Sequence, residues 1–255
     1  AGEVLAGGEN TDDVLLTADT AVSILGRLAA GNSVVANVDA DGAADILIGN
    51  IGTDRILINR GDATFVDATA MRWLQSGESR TQDIELADID ADGDLDVVLG
   101  NEGQNEIFVN ADGSLVDETG ARLPPLEDET REIRAADIDG DGDIDLVVAN
   151  VTFVLDASPQ DYLLINDGNG VFTRAPASRF PEDARSNFTV QLVDADDDGD
   201  LDAIAPSTRF GATGAGDLLL LLNDGDGRFD VATAGSVLPA SLRGNGFDIE
   251  VADDA

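Results

Sequence analysis

The feature that most constrains this chain is a loop with an aspartate at every second position. Residues 137–150 read DIDGDGDIDLVVAN, so carboxylates occupy loop positions 1, 3, 5, 7 and 9. Carboxylates gathered this closely repel one another, and a folded loop that holds them requires a positive charge at its centre. Oxygen ligands in this number suit Ca²⁺ better than Mg²⁺, which demands regular octahedral geometry and retains its waters. The segment therefore predicts a calcium loop.

An EF-hand is the first alternative, because its loop also places oxygen ligands at alternate positions. An EF-hand loop ends in a bidentate Glu at position 12 and is flanked by helices. Position 12 here is Val148, and the residues after position 9, LVVAN, are typical of a buried β-strand. The pattern thus favours a metal loop between two strands.

The same loop pattern recurs along the chain. Complete copies begin at Asn37, Asp88, Asp137 and Asp194, and an incomplete copy begins at Asp253. We expect about four Ca²⁺ ions, one for each complete loop, bound through the side chains at positions 1, 3, 5 and 9 and through the backbone carbonyl at position 7. The predicted metal-site residues are Asn37, Asp39, Asp41, Ala43, Asp45, Asp88, Asp90, Asp92, Asp94, Asp96, Asp137, Asp139, Asp141, Asp143, Asp145, Asp194, Asp196, Asp198, Asp200 and Asp202.

Between the loops, every repeat has the same succession of strands and turns. An apolar strand follows the loop, a second strand ends in Asn, and a Gly/Asp-rich hairpin turn leads to a short third strand. With the strand that enters the loop, each unit of about 50 residues contains four antiparallel strands, which is the signature of a β-propeller.

We therefore expect a single all-β domain over residues 1–255, a β-propeller of about five four-stranded antiparallel blades. The predicted blades are residues 246–255 together with 1–27, then 32–68, 82–117, 131–174 and 187–231. In the first of these, the N- and C-terminal strands pair and close the ring, which would leave no open sheet edge. An arc cut from a larger propeller is the alternative.

The loops and the segments behind them resemble the FG-GAP or VCBS repeat family, whose calcium-loop blades also occur in the propellers of integrin α-subunits. The resemblance rests on D-x-D-x-D-G-x-x-D loops and on segments such as DLVVAN and NDGNGVF. Members of the family range from adhesion ectodomains to lectins and appendages of polysaccharide lyases. The resemblance therefore implies a fold more directly than a function.

The strongly negative charge of the chain makes negatively charged partners unfavourable. The chain has 52 acidic and 14 basic residues, a formal net charge of -38, which argues against nucleic acid and against anionic membranes. We also expect no membrane insertion. Extracellular modules bind Ca²⁺ with Kd values of roughly 10⁻⁴ to 10⁻³ M. The loops thus predict an extracellular or cell-surface location, secreted or periplasmic, with a signal peptide outside this chain.

The residue inventory weighs against catalysis. The chain contains no His, Cys or Lys, so the usual general bases and nucleophiles are missing. We predict a non-catalytic, calcium-stabilised binding or scaffold module, a monomeric domain of a larger protein, whose partner is a glycan or an extracellular protein. The alternative is an accessory propeller or the catalytic part of a polysaccharide lyase or glycoside hydrolase, since paired acids can hydrolyse a glycoside.

A candidate ligand face lies on the turns and connectors predicted to project away from the calcium loops. These segments carry arginine and aromatic residues on an otherwise acidic chain, a composition enriched at recognition surfaces. The equally weighted alternative is that the arginines only balance nearby carboxylates. The candidate ligand-face residues are Arg72, Trp73, Arg122, Phe153, Arg179, Phe180, Arg209 and Phe210.

Overall fold

The loop repeats form antiparallel β-sheets in a computed structural model of the chain. The structure describes residues 3–5, 14–16, 33–62, 64–75, 77, 79–152, 160–181, 186–208, 218–232 and 249. Two helices of one turn each are found in these segments, α1 (Thr69–Arg72) and α2 (Thr119–Arg122). Neither described helix has the length or the apolar character needed to cross a membrane. The prediction of an all-β, antiparallel fold is confirmed.

Twenty strands are described, most of them three to nine residues long. In chain order they are β1 (Glu3–Leu5), β2 (Val14–Leu16), β3 (Ser33–Ala36), β4 (Asp45–Ile48), β5 (Ile51–Gly52), β6 (Arg55–Asn59), β7 (Phe65–Asp67), β8 (Ser79–Ala87), β9 (Asp96–Gly103), β10 (Glu106–Ala111), β11 (Ser114–Asp117), β12 (Asp128–Ala136), β13 (Asp145–Asn150), β14 (Tyr162–Asn166), β15 (Phe172–Arg174), β16 (Ser186–Asn187), β17 (Gln191–Val193), β18 (Asp202–Thr208), β19 (Leu218–Asn223) and β20 (Phe229–Val231).

Each complete repeat forms a four-stranded antiparallel meander in chain order. The first meander is β3–β4–β6–β7, the second β8–β9–β10–β11, the third β12–β13–β14–β15 and the fourth β17–β18–β19–β20. Short ladders link the first meander to the second through β5 and β8, and the second to the third through β9 and β12. Every metal loop lies between the first and second strands of its meander.

The hydrophobic core lies between consecutive meanders. The strand that follows each loop is buried on both faces; for example, all six residues of β13 are buried. One cluster of buried side chains combines Ile89 and Val98 of the second repeat with Leu146 and Tyr162 of the third. Equivalent clusters join the first repeat to the second and the third to the fourth. Consecutive meanders therefore stabilise one another through shared cores, and a smaller cluster that includes Ile46 and Leu57 lies within the first meander.

Carboxylates on the first strand of one meander bind the first strand of the next. Asp83 Oδ2 accepts a hydrogen bond from the Ile133 N–H at 2.7 Å, and Glu85 Oε1 accepts one from the Ala135 N–H at 3.0 Å. One repeat later, Glu132 Oε2 accepts a hydrogen bond from the backbone N–H of Val190 at 2.6 Å. These bonds pair backbone N–H groups that face away from the hydrogen-bonded neighbour within the meander.

Closure of the ring rests on residues that the structure does not describe. Apart from residue 249, the predicted closing strand, residues 246–252, lies outside the described residues, as does the incomplete loop at Asp253. At the other end, β1 and β2 pair antiparallel, with Glu3 opposite Leu16 and Leu5 opposite Val14. The number of blades and the closed ring therefore stay predictions.

The buried Asp83 generates a prediction about pH and stability. Burial raises the pKa of Asp83 to about 7, and the nearby carboxylates Glu132 and Glu85 act in the same direction. A folded-state pKa above the unfolded value of about 3.9 means that the folded protein binds the proton more tightly, so this group lowers stability as pH rises from about 4 to 7. The variant Asp83→Asn keeps an acceptor for the Ile133 N–H without the charge.

We expect Asp83→Asn to match the wild type near pH 4 and to exceed it at pH 8 by about 2 to 4 kcal/mol in the free energy of unfolding. Denaturant unfolding at both pH values in saturating Ca²⁺ measures the difference. The control is Asp230→Asn, because the Asp230 side chain is 85% exposed. Parallel pH profiles for Asp83→Asn and the wild type would contradict the assignment.

Candidate metal centre

A buried aspartate closes each loop at position 9. In the 137–145 loop, Asp145 Oδ2 accepts a hydrogen bond from the Ile138 N–H at 3.2 Å, and Asp145 Oδ1 accepts one from the Asn166 N–H at 2.8 Å. The same two bonds form at each of the other complete loops. The four residues at this position are fully buried, namely Asp45, Asp96, Asp145 and Asp202.

The position 1 aspartate folds the loop back on itself. In the 88–96 loop, Asp88 accepts hydrogen bonds from the backbone N–H groups of Asp92 and Gly93, both at 3.0 Å. Asp92 at position 5 in turn accepts a bond from the Asp94 N–H at 2.9 Å. The turn requires Gly93 at position 6, where the backbone has φ of +98°. The local sequence thus places the carboxylates around a common centre.

Three loops bring their carboxylates from positions 1, 3 and 9 together. Within each group, one oxygen from every side chain lies within 4.8 Å of the others. The three groups are Asp88, Asp90 and Asp96; Asp137, Asp139 and Asp145; and Asp194, Asp196 and Asp202.

Positions 5 and 7 do not belong to these groups, so their predicted role as metal ligands stays a prediction. The 37–45 loop has Asn37 at position 1 and forms no group of three acidic side chains among its residues, all of which the structure describes. We therefore expect this loop to have the lowest metal affinity of the four.

Two buried oxygen atoms in these loops indicate that a cation fits. Asp90 Oδ1 and Asp139 Oδ1 are inaccessible to solvent and have no hydrogen-bond partner among the described residues. Burial, reinforced by the carboxylates of Asp90 and Asp92, raises the pKa of Asp96 to about 6, and burial with neighbouring aspartates does the same to Asp145. Such shifts arise where carboxylates lack a compensating positive charge. A hard cation with oxygen ligands would supply that charge.

Three arginines of the predicted ligand face lie against the loops instead. Arg72 forms an ion pair with Asp39 at 3.2 Å, Arg122 with Asp90 at 2.9 Å, and Arg179 with Asp139 at 3.4 Å. In each case the acidic partner is position 3 of the loop in the same repeat. The prediction that these arginines project from the opposite face is wrong, because the segment after each meander folds back beside the next one.

The two described aromatic residues of the predicted ligand face, Trp73 and Phe180, are not exposed either. Trp73 is 2% exposed and packs edge-on against Phe108, with ring centroids 5.6 Å apart. Phe180 is 4% exposed and packs in the same way against Phe229, at 5.2 Å. Both side chains therefore belong to the core between meanders. The remaining predicted face residues, Phe153, Arg209 and Phe210, lie outside the described residues.

The asparagine that ends the third strand of each meander was noted in the sequence, but its role in linking consecutive loops was missed. The Asn166 side chain donates from Nδ2 to the Ile144 carbonyl of its own loop at 2.9 Å and to the Ile89 carbonyl of the preceding loop at 2.8 Å. Its Oδ1 accepts hydrogen bonds from two hairpin glycines. Asn110 and Asn223 make the same connections in their repeats. The recurrence of Asn at the end of the third strand in all four meanders was the sequence signal for this role.

Comparison with known families agrees with this geometry. A model of the FG-GAP-like repeat matches residues 37–99 and again residues 88–148, each match running from one metal loop through the next. Residues 37–148 are FG-GAP-like repeats. The predicted resemblance is thereby confirmed. No curated protein matches the FG-GAP-like chain.

Two solved structures show what the fold is similar to. A lectin from Agrocybe aegerita, described as specific for non-reducing terminal N-acetylglucosamine, is 18% identical with a TM-score of 0.53 over 91% of this chain. The match spans 60% of the lectin chain, and at this identity the likeness concerns the fold alone. The pore of the Photorhabdus luminescens Tc holotoxin is 19% identical over 95% of this chain and 11% of its own, with a TM-score of 0.41.

Proposed function

We propose that this FG-GAP-like chain is a calcium-stabilised, non-catalytic module of an extracellular or cell-surface protein and that it binds a glycan. The observation that carries the calcium proposal is the grouping of three carboxylates within 4.8 Å in three successive loops. The buried, unpaired oxygens of Asp90 and Asp139 support it further. Oxygen-only ligands on a flexible loop favour Ca²⁺ over Mg²⁺ and over softer transition metals.

The burial and hydrogen bonding of the loop carboxylates support the proposal that the loops have a structural rather than a catalytic role. The position 9 carboxylates are buried and already accept two backbone hydrogen bonds each, so they are poorly placed to exchange protons with a substrate. The chain also has no His, Cys or Lys to act as base or nucleophile. Assignment to a polysaccharide-degrading enzyme remains the alternative, and release of products from a bound polysaccharide would favour it.

The choice of a glycan as partner is supported by the fold shared with a lectin. The net charge of -38 speaks against nucleic acid and anionic membranes as partners. The buried Trp73 and Phe180 and the loop-bound arginines supply no exposed aromatic surface. The described members of the predicted ligand face therefore do not support a glycan site there, and the roles of Phe153, Arg209 and Phe210 stay predictions. The N-acetylglucosamine specificity stated for the lectin serves only to choose the first glycans to test.

We further propose that the meanders are blades of a closed, five-bladed β-propeller. Shared cores between consecutive meanders and carboxylate bonds between their first strands are the packing that such a ring requires. Closure would pair residues 246–252 with the N-terminal strands.

Calcium should stabilise the folded protein strongly. If three loops each bind with Kd near 10⁻⁴ M, about 10 mM Ca²⁺ adds roughly 8 kcal/mol to the free energy of unfolding, and the Tm rises by on the order of 15 °C. Thermal melts in EDTA, in CaCl₂ and in MgCl₂ as a control measure the shift. Equal melting temperatures in EDTA and CaCl₂ would refute the calcium proposal.

Glycan binding should depend on the same ion. We expect a fluorescently labelled chain to bind a subset of an array of glycans in millimolar Ca²⁺ and to lose that signal in EDTA, because removal of the ions loosens the fold that presents the site. Glycans ending in N-acetylglucosamine are the first to inspect. An array without calcium-dependent signal would contradict the glycan proposal and direct the search to extracellular proteins.

Deletion of residues 246–255 tests ring closure. In a closed ring the deletion removes one strand from a blade and exposes two sheet edges, so we expect the shortened chain to aggregate or to melt well below the full chain. Size-exclusion chromatography and thermal melts in saturating Ca²⁺ provide the readout. A monomeric shortened chain with an unchanged Tm would exclude closure by this strand.

A further inference from the structure

One arginine in each of three repeats bridges a metal loop to the next meander. Arg122 binds Asp90 of its own repeat through NH2 and donates through NH1 to the Asn169 carbonyl in the hairpin of the third meander, at 2.5 Å. Arg179 makes the corresponding contacts with Asp139 and with the Asp226 carbonyl. Arg72 donates to the Gly113 carbonyl at 3.1 Å and pairs with Asp39. The same bridge thus occurs at three successive boundaries.

The hairpins are shaped to admit these guanidinium groups. Gly170 has φ of +73°, and a Cβ atom at this position would lie 2.0 Å from Arg122 NH1. A Cβ atom on Gly227, where φ is +68°, would approach the Asp139 Cβ to 2.8 Å. A side chain at Gly170 would displace the Arg122 guanidinium, and one at Gly227 would displace the side chain of Asp139. The glycines therefore serve the close approach of loop, arginine and hairpin as well as the turn itself.

In two of these bridges, one oxygen of the position 3 carboxylate binds the arginine and the other oxygen has no partner among the described residues. Arg122 holds Asp90 Oδ2, while Asp90 Oδ1 is buried and has no hydrogen-bond partner among the described residues. Arg179 holds Asp139 Oδ2, and Asp139 Oδ1 is left in the same state. Both carboxylates belong to the acidic groups at positions 1, 3 and 9.

We propose that Arg122 and Arg179 are positioning residues for calcium: each fixes its position 3 aspartate with Oδ1 presented to the ion, and ties that ligand to the hairpin of the following meander. This inference rests on the proposed calcium function. Partners that orient metal ligands through a second hydrogen bond affect metal affinity about 10- to 100-fold. Occupancy of a loop is thereby coupled to the docking of the next repeat.

Whether removal of Arg122 weakens or tightens calcium binding distinguishes a positioning role from simple charge repulsion. A guanidinium beside the loop repels Ca²⁺, so loss of its charge alone would tighten calcium binding. Loss of a positioning residue would weaken binding, because Asp90 would be free to rotate and the hairpin contact would be lost. A variant that removes Arg122 therefore has opposite expected outcomes under the two views.

The test is a calcium titration of the full chain followed by NMR at the position 6 glycines. The backbone amide of Gly93 reports the 88–96 loop, and that of Gly199 reports the 194–202 loop, which serves as the internal reference. In Arg122→Gln we expect the Kd reported by Gly93 to rise about tenfold while the Kd reported by Gly199 stays within twofold. Arg122→Lys keeps the charge but loses the planar fork, so it should also weaken the Gly93 loop.

The matched control is Arg131→Gln. Arg131 pairs with Glu102 at 2.9 Å, its side chain is 12% exposed like that of Arg122, and it lies in the first half of β12, five residues before the strand ends at the 137–145 loop. We expect this control to leave the Gly93 titration unchanged or slightly tighter. If Arg122→Gln fails to fold, Arg122→Lys carries the test.

Each outcome is decisive. Unchanged or tighter binding at the Gly93 loop in Arg122→Gln, or wild-type affinity in Arg122→Lys, overturns the positioning role. A wild-type chain whose glycine amides do not respond to Ca²⁺ at all refutes the proposed calcium function instead. Weakening at Gly93 in both Arg122 variants, with Gly199 and the Arg131 control unaffected, supports the bridge.

Discussion

Two backbone N–H groups donate to the buried aspartate at the ninth position of every complete loop, and most of the remaining architecture is built around this contact. One donor lies within the loop and the other is the asparagine at the end of the third strand, so a single carboxylate such as Asp145 holds the loop to the hairpin behind it. The asparagine side chain then reaches the preceding loop. A local turn motif is thereby extended into contact between repeats.

Carboxylates link consecutive repeats both at their first strands and near their loops. Near the first strands, Asp83, Glu85 and Glu132 accept backbone hydrogen bonds across the boundary between meanders. Near the loops, Arg122 and Arg179 each bind the position 3 carboxylate of their own repeat and a backbone carbonyl in the hairpin of the next meander. A chain with 52 acidic residues thus uses part of its charge as hydrogen-bond acceptors inside the structure. Polar contacts of this kind accompany the shared apolar clusters and give each boundary a defined register.

Strand order alone predicted the wrong face for three arginines. Counting strands places the segment after each meander at the end opposite the loops, and Arg72, Arg122 and Arg179 were assigned there. The last strand of each meander is short, and the chain then turns back; the Trp73 and Phe180 side chains enter the core between meanders and carry the adjacent arginines toward the loops. These three arginines thus pair with carboxylates of the loops in their own repeats.

Much of the architecture was readable from the sequence, because it depends on residues close together in the chain. Alternating aspartates with a glycine at position 6 predict the loop, LVVAN predicts the buried strand, and the repeat predicts antiparallel units, all of which are local properties. Contacts over 30 to 85 residues, from Arg122 to Asp90 and from Asn223 to the Ile138 carbonyl, were decided only by the tertiary structure. Pairing of side chains across a boundary depends on how repeats pack, and no periodicity within one repeat specifies that.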